Sequence, residues 1–424
     1  MAELQDLIAQ DLIADVEKRF RITYNEAQKE AIIKALTHKL SIVTGGPGVG
    51  KTTVTKGILA AYKQLYPDRY IYLAAPTGRA AKRMTEVTGH EAKTIHRLLR
   101  YKPQYDCFEH DEINPLPGPG LLLLDEVSMC DILLARDLFR AIPDTLTTVL
   151  IGDVDQLPSV GPGSVLRDLI ASGAVPTTRL TYVYRQAEGS GIALLADAVR
   201  QGKLPENWTR LPDVEVIQVE DRDRIPEIVR DKALEAVRQY GLMGVLVMAP
   251  MKKGVDGVAN LNAMVREALN PAGEDKPAIR LSSGEYRLGD KVMVIKNNYH
   301  LGVFNGDLGI VREIVTGKER GILVEIDGLE EPVFFSDEDE SADLLTLAYA
   351  STIHKAQGGE APVAIVTLTK SHYIMLARNL FYTAITRAKK KLTIICQPDA
   401  VEMAVRNNKI ATRNSRLREL LAAG

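Results

Sequence analysis

Between the apolar run Leu40-Ser-Ile-Val-Thr44 and the stretch Val54 to Tyr66 lies Gly45-Gly-Pro-Gly-Val-Gly-Lys51-Thr52-Thr53. The flanks read as a strand and a helix, the context in which a GxxxxGK[ST] pattern means phosphate binding. Glycines let successive backbone N–H groups wrap a phosphate at a helix N-terminus, where the helix dipole already favours an anion. Gly46, Gly48, Val49, Gly50, Lys51, Thr52 and Thr53 are therefore the expected nucleotide contacts. Lys51 brings a point charge to the β- and γ-phosphates, and the Thr52 hydroxyl is a ligand for Mg2+. The pattern predicts a nucleoside triphosphate site.

Two further blocks supply what hydrolysis needs. Leu121-Leu-Leu-Leu-Asp125-Glu126 is an apolar strand that ends in two carboxylates. Asp125 is placed to hold Mg2+, directly or through water, and Glu126 to polarise the attacking water. A lone Asp-Glu pair at a strand end is common, but downstream of a phosphate-binding loop it reads as hydrolytic. Gly152-Asp-Val-Asp155-Gln156-Leu-Pro158 follows the next apolar run. The side-chain amide of Gln156 can sense the γ-phosphate and pass its state to a neighbouring surface.

These residues need a scaffold that brings them together, and the chain predicts an α/β one. Strand candidates are Ser41–Thr44, Ile71–Ala75, Leu121–Asp125 and Thr148–Gly152, alternating with amphipathic helices as a parallel sheet requires. Each ends where a chemical block begins, and ligands of open α/β sheets bind beyond the carboxyl ends of strands. A second α/β unit starts near Gly191, with strands at Val245–Ala249, Ala364–Leu368 and Leu392–Cys396. Between them the pattern changes to short alternating runs, Tyr286–Ile295, Gly309–Val315, Ile322–Ile326 and Pro332–Phe335, with turns at Asn305-Gly306 and Asp327-Gly328. That is the pattern of a small β-barrel. The expected division is an N-terminal helix (1–22), a first domain (23–190), a second domain (191–283 and 343–424) and a barrel insertion (284–342). Leu4, Leu7, Ile8, Leu12 and Val16 line one face of the first helix, which is expected to pack on the first domain.

Composition excludes several classes. Of 424 residues, 46% are hydrophobic and 25% charged, with a net charge of −2, so any polyanion must be met by a local basic track. No apolar run approaches the roughly 18 residues of a membrane span. Residues 1–20 carry Glu3, Asp6, Asp11, Asp15 and Glu17, unlike a secretory signal. Cys107, Cys130 and Cys396 lie far apart without metal-ligand spacing, which suits a reducing compartment. The expectation is a cytoplasmic monomer with no membrane contact.

The order of blocks from Asn25 to Lys391 resembles a superfamily 1 helicase, of the RecD-like and Dda-like branch that moves 5′→3′ on single-stranded DNA. The resemblance implies two RecA-like P-loop NTPase domains, with ATP hydrolysed at the cleft between them, an SH3-like β-barrel insertion and a hairpin pin insertion. It implies that Gln28 reads the adenine edge. Pro76-Thr77-Gly-Arg79 and Thr94-Ile-His96 are similar to first-domain strand-contact motifs, and Tyr349-Ala-Ser-Thr352-Ile-His354-Lys-Ala-Gln-Gly358 to the second-domain motif that couples DNA to nucleotide. Tyr184-Arg185-Gln186 and Tyr382-Thr-Ala-Ile-Thr386-Arg387-Ala388 resemble the blocks whose arginines reach the γ-phosphate. Such cations stabilise charge that grows during phosphoryl transfer. The implied DNA contacts are Pro76, Thr77, Arg79, Thr94, His96, Thr352 and His354, with Arg185, Gly358 and Arg387 at the nucleotide. The chain departs from the family's QGSE string, having Gln357-Gly358-Gly359-Glu360.

The stretch at about 100–118, with Tyr105, Phe108 and the Pro115–Pro119 cluster, has two readings, an ordinary surface loop or a pin that splits duplex. The resemblance implies a barrel that contacts DNA or braces the pin; the other reading is a decorative insertion. The implied partners are single-stranded DNA and single-strand/duplex junctions, with single-strand-binding protein or recombination-repair subunits beside them. Three other functions stay open: a DNA translocase that displaces proteins, an RNA-unwinding enzyme that accommodates the 2′-OH, and a P-loop subunit of a larger recombination-repair complex.

Overall fold

The computed structural model describes residues 2–182, 189–274, 276–298, 300–408, 413 and 415–423, the side chains of residues 2–9 excepted. The chain forms two compact units, Met1–Glu188 with Ile410–Gly424, and Gly189–Lys409.

The first unit opens with α1 (Ala2–Phe20), α2 (Glu26–Thr37), β1 (Leu40–Gly45), α3 (Lys51–Leu65), β2 (Tyr70–Ala75), α4 (Gly78–Thr88), β3 (Ala92–Thr94) and α5 (Ile95–Leu98). A hairpin, β4 (Tyr101–Lys102) with β5 (Cys107–Phe108), interrupts the rhythm before β6 (Gly120–Leu124), α6 (Ile132–Ala141), β7 (Leu146–Gly152), α7 (Val165–Ser172) and β8 (Thr177–Leu180). Among the described residues, six strands form one parallel sheet in the order β3-β2-β6-β7-β1-β8.

The apolar strands are continuous because both sheet faces are covered. Val43, Leu121, Leu123, Val149 and Ile151 point into a core shared with Ile32 of α2, Ile58 of α3 and Leu12, Ile13 and Val16 of α1. Their alternates Ile42, Leu122, Leu124 and Leu150 point into a second core with Leu138 of α6 and Leu166 and Leu169 of α7. The edge strand β8 escaped the sequence reading because Thr177-Thr-Arg-Leu180 is mostly polar. Only its pairing with β1 makes it a strand.

The second unit begins α8 (Gly191–Arg200), β9 (Val214–Gln218), α9 (Ile225–Tyr240), β10 (Val245–Ala249) and α10 (Val258–Leu269). Seven short strands follow: β11 (Ala278–Leu281), β12 (Gly284–Arg287), β13 (Lys291–Val294), β14 (Leu308–Val315), β15 (Gly321–Ile326), β16 (Val333–Ser336) and β17 (Leu345–Leu347). The α/β pattern resumes with β18 (Ala350–Thr352), β19 (Ala361–Leu368), α11 (Arg378–Ile385), β20 (Ala388–Cys396) and α12 (Pro398–Arg406), and the last helix is α13 (Leu417–Ala423). The parallel sheet runs β18-β10-β19-β20-β9, and the antiparallel one β16-β15-β14-β13-β17. The latter encloses its own core of Val292, Val294, Val311, Ile322, Val324 and Phe335.

Three expectations are corrected. The alternation Tyr286–Ile295 is two strands, because Gly289 at φ +86° turns the chain. β12 then pairs with β11, while β13 pairs with β14 and β17. Pairing around the barrel therefore reaches Ala278 and Leu347, on both sides of 284–342. Residues 410–424, assigned to the second domain, belong to the first unit. There Leu421 of α13 joins the core beside α7, and the Arg413 guanidinium donates to the carbonyls of Ser159, Gly161 and Gly163 at 2.7–2.9 Å.

Candidate nucleotide site and strand-contact motifs

Three loops meet at one edge of the first sheet because their strands are neighbours that run the same way. β6, β7 and β1 are adjacent, with Leu124 beside Leu150 and Thr44 beside Gly152 at their carboxyl ends. The glycine loop, Asp125–Glu126 and Gly152–Gln156 thus leave the sheet on the same side. Their approach is close. A Cβ on Gly152 would stand 2.8 Å from Leu166 Cδ2 and 3.3 Å from the amide nitrogens of Val127 and Ser128. One on Gly45 would stand 2.7 Å from the Leu180 carbonyl oxygen.

α3 starts after Gly50 at φ +85°, with no side chain capping its first N–H groups. Gly48, at φ +73°, completes a loop that residues with side chains resist. Helix-terminal amides that no side chain caps, behind such a loop, fit the phosphates of a nucleotide. Lys51 Nζ donates to the carbonyls of Gly45 and, at 2.8 Å, Gly46, which holds the ammonium across the loop. Thr52 is exposed in the first turn of α3; Thr53 beside it is partly buried, its carbonyl accepting the Tyr24 hydroxyl at 3.4 Å.

Asp125 Oδ1 accepts the Glu126 N–H at 2.8 Å, and Glu126 adopts the left-handed conformation, φ +53° and ψ +37°. Gln156 is only 6% exposed, and its Nε2 donates to Asp153 Oδ2 at 3.2 Å. Among the described residues no three His, Cys, Asp or Glu side chains converge as a metal cluster. A Mg2+ here would rest on Thr52 and Asp125 and complete its shell with phosphate and water, as this ion commonly does.

Gln28 is fully buried in a capping box at the start of α2. Its Oε1 accepts the Asn25 N–H at 3.1 Å, and its own N–H donates to Asn25 Oδ1 at 2.9 Å. The Asn-x-x-Gln spacing is the sequence signature of this cap, a second role beside the expected adenine contact.

Two of the expected first-unit strand-contact residues, Thr77 and Thr94, set helix starts. Thr77 Oγ1 accepts the Ala80 N–H at 3.3 Å at the head of α4, between the partly buried Pro76 and Arg79. Thr94 Oγ1 accepts the Arg97 N–H at 3.2 Å at the head of α5 and is itself buried. His96 anchors the hairpin: its ring meets Tyr101 edge-on at 5.5 Å and Phe108 at 5.6 Å, and those rings stand 5.2 Å apart. Burial holds the imidazole below its ordinary pKa, against the opposing pull of Asp131. Arg100 and Lys102 bracket Glu109 at 2.7 and 3.2 Å, while Tyr105 between the strands is 74% exposed. The hairpin has a packed base and a bare tip.

In the second unit, Thr352 ends β18 and its Oγ1 accepts the Lys355 N–H at 3.3 Å. Burial lowers the pKa of His354, and burial together with the nearby Lys252 charge lowers that of Lys355. Lys252 follows β10, the neighbour of β18, so the two lysines make a basic spot that the sequence reading did not single out. The Lys252-Lys253 pair directly after an apolar strand was the available signal.

Gly358 is left-handed at φ +72°. Arg387 is 2% exposed and donates to Gly359 O at 3.0 Å, Thr383 O at 3.1 Å and Thr386 Oγ1 at 3.0 Å. The Gln357–Glu360 string and Thr386-Arg387 are therefore tied together. Arg185, with Tyr184 and Gln186, lies outside the described residues.

A glycine loop, two acids and a glutamine on one parallel sheet edge define the first unit as a P-loop NTPase fold, joined to a second α/β unit that carries a barrel. Family models agree: residues 28–162 match an AAA domain, 261–326 the SH3 domain of ATP-dependent RecD-like DNA helicases, and 347–395 a UvrD-like helicase C-terminal domain. The chain is 37% identical over 413 residues to an ATP-dependent RecD2 DNA helicase of Deinococcus radiodurans, covering 96% of this chain and 54% of the relative. It is 30% identical over 444 residues to the RecBCD enzyme subunit RecD of Mycolicibacterium smegmatis, covering 96% of this chain and 77% of that one. The chain thus spans about half the length of the first relative and three quarters of the second. A Bacteroides Pif1 helicase crystallised with ADP-AlF3 and single-stranded DNA shares the fold at a TM-score of 0.55 and 18% identity, with 90% of this chain and 94% of that one covered. The chain belongs to the RecD-like family of superfamily 1 helicases.

Proposed function

We propose that this chain is an ATP- and Mg2+-dependent DNA helicase that translocates 5′→3′ on single-stranded DNA and opens duplex at junctions, acting as a cytoplasmic monomer. The observation that carries the reading is the convergence of the glycine loop, Asp125–Glu126 and Gln156 on one sheet edge, in a unit whose strand-contact residue His96 also roots an exposed hairpin. Family membership supports the polarity. Among the described residues no helix is long and apolar enough to cross a membrane.

Lys51 and the N-terminal amides of α3 hold the phosphates, and Gln28 contacts adenine. Glu126 orients the attacking water and takes its proton. Thr52 and Asp125 would hold Mg2+, which would supply positive charge to the phosphate oxygens. Arg185 and Arg387 add cationic stabilisation; Arg387 must exchange its present carbonyl acceptors for phosphate oxygens. Gln156 reports the γ-phosphate state to the strand-contact loops. Pro76, Thr77, Arg79, Thr94, His96, Thr352 and His354, with Lys252 and Lys355, form the DNA track, which meets phosphates through hydroxyls, cations and amides without reading sequence. The hairpin tip divides the strands.

The test is ATP hydrolysis with and without single-stranded DNA, duplex and single-stranded RNA, using Glu126→Gln as the blank, followed by unwinding of 5′- and 3′-tailed duplexes. Stimulation by single-stranded DNA and a requirement for the 5′ tail are expected. Stimulation by RNA alone, or a 3′-tail requirement, would overturn the reading. The similarity to RecBCD subunits favours one alternative, a P-loop subunit of a recombination-repair complex. Its mark is negligible turnover alone that a partner restores.

A further inference from the structure

Asp290 is fully buried. Its Oδ1 accepts Arg266 Nε at 3.1 Å, Asn270 Nδ2 at 2.7 Å and the Tyr349 hydroxyl at 2.9 Å. Its Oδ2 accepts Arg266 Nη2 at 2.7 Å and the Arg287 N–H at 2.8 Å. A buried carboxylate needs this degree of compensation, and such a hub tolerates one geometry where apolar packing tolerates several.

The donors come from separate elements. Asp290 leads into β13 of the barrel, Arg287 ends β12, Arg266 lies on α10 and Asn270 caps it, and Tyr349 directly precedes β18. Arg266 shares one face of α10 with Asn262, four residues earlier. Asn262 holds both backbone groups of Ala350: its Nδ2 donates to Ala350 O at 2.9 Å, and its Oδ1 accepts the Ala350 N–H at 2.9 Å. One helix face therefore grips the barrel through Arg266 and the start of β18 through Asn262.

Lys291, next to Asp290 and 2% exposed, donates to Leu242 O at 3.0 Å and Val245 O at 2.8 Å, at the entry to β10. Two consecutive buried charges thus fasten the barrel to the α/β sheet. Burial and the Asp290 carboxylate keep the Tyr349 hydroxyl protonated, so it remains a donor.

We propose that Asp290 is a positioning residue: through Tyr349, and through the Arg266–Asn262 face of α10, it sets the placement of Ala350–Gln357 relative to the barrel. The barrel thereby sets how Thr352 and His354, at the end of β18 and just beyond it, are presented. This rests on the helicase reading in one respect, that Thr352 and His354 contact DNA. It makes the barrel a lever on the coupling segment.

Hydrogen–deuterium exchange on the full chain tests the placement without activity. Asp290→Asn keeps the side-chain shape and one carbonyl acceptor; Tyr349→Phe removes a single donor and leaves the other bonds to Asp290 in place. Expected in Asp290→Asn is several-fold faster exchange of the Ala350–Gln357 amides, with β10, β19 and β14 unchanged. If that variant does not fold, Tyr349→Phe carries the measurement.

In ATPase titrations with oligo(dT), Tyr349→Phe should raise the half-saturating DNA concentration several-fold while the maximal rate is retained. Unchanged exchange at 350–357, or faster exchange throughout the unit, overturns the proposal, as does a fall in maximal rate with half-saturation unmoved. A parent protein that ignores oligo(dT) sinks the helicase reading, and the exchange result still decides this one.

Discussion

At position 126 glycine should be more stable than alanine, the reverse of the usual order. Glu126 sits at φ +53° and ψ +37°, a conformation that costs a residue with a Cβ roughly 1–2 kcal/mol. Glycine escapes that cost but loses more backbone entropy on folding, about 0.5–1 kcal/mol relative to alanine. Taken at the middle of each range, the difference leaves Glu126→Gly above Glu126→Ala by about 0.7 kcal/mol. For a domain of this size that is a shift of about 1–4 °C in unfolding midpoint. Both variants remove the carboxylate and its contacts, so the comparison isolates the backbone.

The conformation persists because both sides of the turn are tied: the Glu126 N–H to Asp125 Oδ1 at 2.8 Å, and its carbonyl to the Met129 N–H at 3.0 Å. Strain held at a catalytic position is a known pattern. Scanning calorimetry of the two variants and ATP turnover at saturating single-stranded DNA are the assays. Loss of the base should lower turnover by about 10²–10⁴-fold in both. Alanine as stable as glycine would refute the backbone argument, and turnover within about tenfold of the parent would refute the role of Glu126 as base.

Three further outcomes are expected. Lys51→Ala should abolish ATP turnover while changing stability by only about 1–3 kcal/mol, the net worth of two hydrogen bonds to loop carbonyls from a partly exposed ammonium; circular dichroism melts beside turnover assays check both halves. Replacing the tip Gln104-Tyr105-Asp106 by a glycine linker should remove duplex unwinding and spare DNA-stimulated hydrolysis, because the His96–Tyr101–Phe108 base stays packed; loss of both activities would count against a pin. Burial holds His96, His354 and His372 below the ordinary value of 6.5, so the unfolded chain takes up protons first and stability should fall as pH drops through 6.5 toward the lowered folded values. Urea melts at constant salt from pH 7.5 to 5.5 measure this, and His354→Asn should flatten the slope; stability that rises on acidification would contradict it.

Local chemistry was legible because each block pairs a residue type with a short-range backbone need. The glycine loop, the Asp125-Glu126 strand end and Gly152–Gln156 announce themselves within a few residues, and apolar runs of five or so residues place them on strands. The Asn305-Gly306 and Asp327-Gly328 turns, with left-handed glycines at φ +98° and +75°, likewise follow from local sequence.

What only the tertiary structure decided are matters of long-range partnership. Strand order, which puts the glycine loop, Asp125–Glu126 and Gly152–Gln156 side by side, depends on pairing between residues a hundred positions apart. The polar edge strand β8 exists through β1, and the alternation at 286–295 splits because β12 and β13 have different partners. Thr94, Gln28 and Arg387 read as contact residues in their motifs, yet they are buried and hydrogen-bonded to their own chain. Arg413 and α13 belong with the first unit although they follow the second. Asp290 looks like an ordinary turn residue in sequence. Its importance appears only when α10, the barrel and Tyr349 converge on one carboxylate, since a buried charge is defined by what surrounds it.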